Sequence, residues 1–204
     1  MNNYSLYKRF FDINCAICLI ILLSPLFLII SLLIKLTSKG PILYKHLRVG
    51  QNNTNFYCLK FRTMYFESDK LLANLLNKNK KLEIEFNQKF KLRHDPRITL
   101  FGKFLRKTSL DELPQFINVI LGDMSLIGPR PIVEKEKINY GNQIDTLLSI
   151  KPGITGLWQV NGRSKLSYPE RKKMDIHYVR NYNFLLDLKI FFKTILIIIL
   201  PINK

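Results

Sequence analysis

Between Ile13 and Ile34 the chain reads INCAICLIILLSPLFLIISLLI, 22 residues without a charge. As one continuous helix this run would extend roughly 33 Å, enough to cross a bilayer, so it is expected to lie in a membrane. Ser24-Pro25 falls at its midpoint. Proline removes a backbone hydrogen bond and crowds the preceding turn, so each half, roughly 16 Å long, reaches about one leaflet deep. Lys8 and Arg9 precede the run while Lys35, Lys39, Lys45 and Arg48 follow it, which leaves the positive-inside rule no direction to choose. Two geometries meet these facts: a bent helix that enters and leaves by one face, and a kinked spanning helix. A cleaved signal peptide fits less well, because the apolar run is too long and no small-residue cleavage site follows it.

The 204 residues include 32 Lys plus Arg against 15 Asp plus Glu, a net charge of +17. Such a balance suits nucleic acid, anionic lipid or a phosphorylated substrate, and a membrane segment favours the last two. No stretch interleaves aromatic and basic residues beyond chance, so nucleic acid is not an expected partner. Cys15 and Cys18 form a C-x-x-C inside the apolar run. With Cys58 they read as buried apolar residues in a reduced, cytoplasmic setting, since no second pair or histidine cluster completes a metal site.

After the anchor, PILYKHLRVG and NFYCLKFRTM flank the polar turn Gly50 to Thr54 and predict a β-hairpin. Alternation would place Tyr57, Leu59 and Phe61 on one strand face and Lys60 with Arg62 on the other, two cations able to hold a phosphate. Each alone also fits a solvated edge charge. Residues 67–92 carry leucines at 71, 72, 75 and 76 among charges, an amphipathic helical excursion.

In TSLDELPQ, Thr108 to Gln115, two acids stand side by side. Leu113, Phe116, Ile117, Ile120 and Leu121 follow a helical period, so a helix is expected to begin near Ser109 to Glu112. Ser109-x-x-Glu112 then fits a capping box. A cap needs only one acid, however, and Arg106 and Lys107 lie just upstream. After that helix comes GPRP, in which Arg130 is held between two prolines and confined by the second to extended backbone. A planar guanidinium fixed in this way suits a diphosphate.

The motifs KRFFD, the Ser-Pro pair, KFRTM, DPRIT, LRKTSLDELPQ, GDMSLIGPRP and KPGITGLWQVNGR occur in the order seen in bacterial sugar transferases of the monotopic phosphoglycosyl transferase family, which the chain resembles over nearly its whole length. The resemblance implies an α+β fold with an N-terminal re-entrant membrane helix, a small β-hairpin and amphipathic interfacial helices around a compact catalytic domain. Residues 1–38 would form the anchor, hinged at Ser24 and Pro25. Residues 39–204 would form the cytoplasmic catalytic domain, ending in an interfacial helix, on the cytoplasmic face of a bacterial inner membrane.

It also implies transfer of a sugar 1-phosphate from a UDP-sugar, UDP-galactose or UDP-glucose, to undecaprenyl phosphate with release of UMP. This is the first membrane step in building a polysaccharide or glycoconjugate. Asp111 would be the nucleophile, forming an aspartyl phosphosugar intermediate. Asp111 and Glu112 would hold Mg²⁺. Arg130 would bind the substrate phosphate, with Arg106, Lys60 and Arg62 adding positive charge. Gly153, Gly156, Trp158 and Arg163 are expected near the nucleotide or sugar, although the glycines equally fit simple turns. Asp175 and Asp187 read as solvated helix-face charges or as partners of the many arginines. Membrane lipids complete the partners, and association into a homodimer is left open. The rival class is a basic membrane scaffold without catalysis, which needs neither adjacent acids nor a proline-locked arginine.

Overall fold

A computed structural model of the chain describes residues 3–89, 92, 95–162 and 165–200. Helices α1 (Asn3–Leu22) and α2 (Ser24–Thr37) are broken at Leu23 and bent by 63°. The break falls where Pro25 cannot donate a helical hydrogen bond. No single described helix is long and apolar enough to cross a membrane; only this bent pair meets the length and composition required.

Strands β1 (Leu43–Val49) and β2 (Asn55–Phe61) pair as the expected hairpin, closed where Gly50 N–H donates to Thr54 O at 2.7 Å. The short turn between them places Asn52 and Asn53 at φ 53° and 63°, a region that asparagine tolerates better than most residues. The face pattern differs from simple alternation. Phe56, Cys58 and Phe61 are buried while Tyr57 is exposed, so the inward side changes parity along the strand.

The excursion forms α3 (Ser68–Lys78) and α4 (Lys80–Lys89). Helix α5 (Leu100–Thr108) starts at Thr99, whose Oγ1 accepts the Gly102 N–H at 2.8 Å. Next come a 3₁₀ turn (Leu110–Glu112), α6 (Gln115–Leu121) and β3 (Ser125–Ile127). Short helices α7 (Lys137–Tyr140) and α8 (Ile144–Leu148) lead to β4 (Gly153–Thr155) and α9 (Leu157–Val160). The chain closes with α10 (Tyr168–Asn181) and α11 (Phe184–Ile199). β4 lies parallel to β3, with Ser125 opposite Gly153 and Ile127 opposite Thr155. Ser167 and Glu170 cap α10 reciprocally. The assembly is α+β, dominated by helix.

The chain divides into two compact units. The first comprises Met1–Leu23, Lys45–Leu59 and Pro114–Lys204. Its main core joins Ala16, Phe56, Cys58, Val119, Met124, Leu126, Ile127, Tyr178 and Ile190. α1 is tied into it by polar contacts from KRFFD. Arg9 donates to the carbonyls of Val119 and Ile120, which the end of α6 leaves unpaired. Lys8 pairs with Asp187, and Asp12 accepts from Ser125 Oγ at 2.6 Å. Leu6, Tyr7, Phe10, Ile21 and Leu22 remain exposed along the rest of α1. Cys18 is exposed too, so only Cys58 of the three cysteines is fully buried.

The second unit comprises Ser24–Tyr44 and Lys60–Leu113. Ile30, Ile34, Phe61 and Leu105 form its centre. α2 leaves Leu28, Ile29, Leu32 and Leu36 exposed.

Candidate active site

Ser109 does not start the expected helix. It sits in the left-handed region at φ 61°, ψ 16°, and its N–H closes α5 by donating to Arg106 O and Leu105 O, with no side-chain cap. The capping box is therefore absent. The following residues make a 3₁₀ turn, in which Glu112 N–H donates to Ser109 O at 3.2 Å. Pro114 has no N–H with which to continue the ladder, so α6 begins only at Gln115. Its fully buried residues are Gln115, Asn118 and Val119, while Phe116 and Ile120 of the apolar stripe are partly buried against the main core and Leu121 is exposed. Asn118, 1% exposed, explains the shift. It accepts from Leu59 N–H at 2.9 Å and donates to Tyr57 O at 2.8 Å, which satisfies β2 where no strand reaches it.

This geometry separates the two acids. Asp111 is 8% exposed, and no side-chain donor meets its carboxylate among the described residues. Burial raises its pKa above the usual aspartate value; Lys60 opposes the rise, Glu112 adds to it and Arg106 opposes it. Glu112 is turned to Lys60, whose Nζ lies 2.5 Å from Oε1. Arg106 donates from Nε to Thr63 Oγ1 at 2.8 Å. Although this arginine keeps exposed surface, protein crowded round its guanidinium lowers its pKa, against the opposing pull of Asp111 and Asp95.

Arg62 goes elsewhere. It is 7% exposed and donates to the carbonyls of Lys39 and Ser38, at the end of α2, with burial lowering its pKa. The expected partnership of Lys60 and Arg62 on one strand face is thus replaced by two separate contacts. Asp95, from DPRIT, is held bidentately by Arg97 at 2.9 and 2.7 Å, which lowers the Asp95 pKa against the effect of burial.

The other expected residues gather in the first unit. Arg130 is exposed between buried Pro129 and Pro131, with its guanidinium carbon 6.0 Å from the Trp158 ring centroid. Arg171 lies over the same ring at 4.9 Å. Trp158 itself is only 6% exposed, so it supports arginines and offers no open stacking platform. Asp175 is not solvated. It is 1% exposed and accepts from Tyr140 Oη at 3.0 Å. Its second oxygen stands beside the Trp158 indole and the Arg130 main chain without a well-formed hydrogen bond. Burial pushes the Asp175 pKa up to about 7, with Tyr140 and Arg130 opposing. Asp187 is likewise buried, on Lys8 and Tyr178.

Gly153 and Gly156 serve backbone packing. A Cβ on Gly153 would lie 2.1 Å from Gly128 N, and one on Gly156 would lie 2.3 Å from Gly128 O. They permit the GPRP turn to press against β4. Arg163 lies outside the described residues.

Magnesium takes one or two carboxylates and completes its shell from water and substrate phosphate. Asp111, whose carboxylate meets no side-chain donor among the described residues, fits that donor set; Glu112 has Oε1 taken by Lys60 and could add only Oε2, and no cluster of three or more His, Cys, Asp or Glu occurs among the described residues.

With this geometry in place, the relationships are clear. The family described as bacterial sugar transferase matches residues 3–201, and the chain belongs to it. It is 48% identical over 188 residues to the exopolysaccharide production protein ExoY of Sinorhizobium fredii, covering 92% of this chain and 83% of that protein. It is 49% identical over 188 residues to the undecaprenyl-phosphate galactose phosphotransferase of Salmonella typhimurium. There the match covers 92% of this chain and 39% of the relative. The UDP-glucose:undecaprenyl-phosphate glucose-1-phosphate transferase of Escherichia coli is 37% identical over 199 residues, 93% of this chain and 39% of that protein. Against these two larger relatives the chain spans about two fifths of their length.

Proposed function

We propose that the chain transfers a sugar 1-phosphate from a UDP-sugar to undecaprenyl phosphate at the cytoplasmic face of a bacterial inner membrane. The names of the Salmonella and Escherichia relatives support that substrate pair, and favour galactose or glucose as the sugar. The observation that carries the reading is Asp111, a buried carboxylate with no hydrogen-bonding side chain of its own, beside Lys60 and Arg106. A structural acid would be paired; this one is left with a lone pair to use.

In the proposed reaction an Asp111 carboxylate oxygen attacks the sugar-bearing phosphorus of the UDP-sugar. The bond from that phosphorus to the bridging oxygen breaks, and UMP leaves with the electron pair. An oxygen of undecaprenyl phosphate then attacks the same phosphorus, releasing the Asp111 carboxylate and forming a lipid diphosphosugar. Burial keeps Asp111 basic and excludes water from the acyl phosphate, while Lys60 and Arg106 favour its ionised form. Asp111 and Glu112 would hold Mg²⁺, which when bound neutralises phosphate charge. Arg130 would clamp a phosphate through its planar fork.

The bent pair α1 and α2 is read as a re-entrant anchor, supported by the apolar residues that both helices leave exposed. α11 is read as an interfacial helix, since it exposes Phe184, Leu185, Phe192 and Leu196 while burying Ile190.

Incubation with radiolabelled UDP-sugar and Mg²⁺, without lipid acceptor, tests the covalent route. Label is expected on a peptide containing Asp111, and Asp111→Asn should abolish both labelling and UMP release while still entering membranes. Label on another residue, or a well-folded, active Asn variant, would overturn the mechanism.

A further inference from the structure

Arg106 can act on Asp111 only if its guanidinium is aimed, and arginine carries about 2 kcal/mol of rotamer entropy that works against a fixed pose. Three observations show what fixes it. Thr63 Oγ1 accepts the Arg106 Nε–H at 2.8 Å, which fixes the inner edge of the guanidinium and leaves its outer nitrogens without a hydrogen-bonding partner among the described residues. Thr63 is itself buried and pinned through its backbone, its carbonyl accepting Thr99 N–H at 3.1 Å. The contact is also close by design of the sequence: a Cβ on Gly102 would lie 2.0 Å from Thr63 O, so only glycine lets α5 lie against residue 63 and bring Arg106 back over it. Asp95, the other carboxylate acting on Arg106 among the described residues, is already engaged by Arg97 and does not draw the side chain away.

From this geometry we propose that Thr63 is the positioning residue for the transfer step, holding Arg106 so that its outer nitrogens face Asp111 and the phosphate that Asp111 attacks. The inference rests on the function proposed above. Thr63 makes no hydrogen bond to Asp111 or Glu112; it acts through Arg106.

The test is single-turnover UMP release from UDP-sugar by full-length enzyme in detergent, without lipid acceptor. Thr63→Val keeps the side-chain shape and removes the acceptor; Thr63→Ala removes it without adding a buried methyl, should the valine variant fold poorly. Either is expected to slow the single-turnover rate at least fivefold while the half-saturating UDP-sugar concentration changes less than twofold. Thr63→Ser, which keeps the hydroxyl, should stay within twofold of wild type. In an Arg106→Lys background, whose ammonium has no Nε–H, removing the Thr63 hydroxyl should cost less than twofold more. A hydroxyl-free variant with wild-type rate, or one whose full effect persists beside Arg106→Lys, would overturn the assignment. Those results would leave Asp111 labelled, and so differ from failure of the underlying mechanism, in which wild-type enzyme takes no label and both readings fall.

Discussion

Lys60 Nζ and Glu112 Oε1 stand 2.5 Å apart, so the acid that follows Asp111 in sequence is paired through one oxygen with a cation delivered by the end of β2. The pair keeps 20% and 28% of its side-chain surface exposed, and its value for stability is accordingly small. Its value for Asp111 is larger, because Lys60 is the leading influence that holds the Asp111 pKa down against burial.

Lys60→Met should therefore move the acid limb of the pH–rate profile upward. Asp111 must be ionised to attack, its pKa is already raised, and loss of the cation raises it further, so activity fails at a higher pH as the solution is acidified. The measurement is UMP release across pH 5 to 9. An acid limb that stays in place would show that Lys60 does not govern Asp111.

Arg130→Lys keeps the charge, loses the planar fork and weakens the contact with Trp158. The expected loss is at least about tenfold in kcat/KM, or about 1.4 kcal/mol of transition-state stabilisation. Near-normal kinetics would make Arg130 a structural residue of the GPRP turn.

Asp175 makes stability depend on pH in the less common direction. Its folded pKa, about 7, lies above the ordinary aspartate value of 3.8, so the folded state binds the extra proton. The stability it contributes is fully present below pH of about 4 and is lost as pH rises through about 7. Melting temperature in detergent should fall across that window, and Asp175→Asn, neutral throughout, should flatten the slope. An equal slope in the variant would assign the pH dependence to other groups.

A re-entrant anchor places the amino-terminal end of α1 and the catalytic residues on the same side of the membrane. A cysteine introduced at Ser5 should react with impermeant reagents only after the cytoplasmic face is opened, and Ser24→Leu with Pro25→Ala should favour a straight, spanning helix. Labelling of the Ser5 cysteine in intact cells would establish a spanning helix in the wild type.

Much was legible along the chain because its causes are local. Proline stereochemistry placed the break near Leu23, the polar turn announced the hairpin, and leucine spacing announced α3. The order of motifs identified the family before any coordinates. What only the tertiary structure decided was the partner of each polar group. Ser109 carries the residue types of a cap, yet it ends α5, because the left-handed turn there is set by how α5 and the following 3₁₀ turn pack. Arg62 turns to the carbonyls of Ser38 and Lys39, just past α2, and Lys60 to Glu112, a residue 52 positions away. Asp175 appeared to be a helix-face charge and lies beneath Trp158, while Asn118, which carried no signal in a helical pattern, closes the edge of β2. Burial and pairing depend on which distant segments meet, and no spacing within a single helix or strand contains that information.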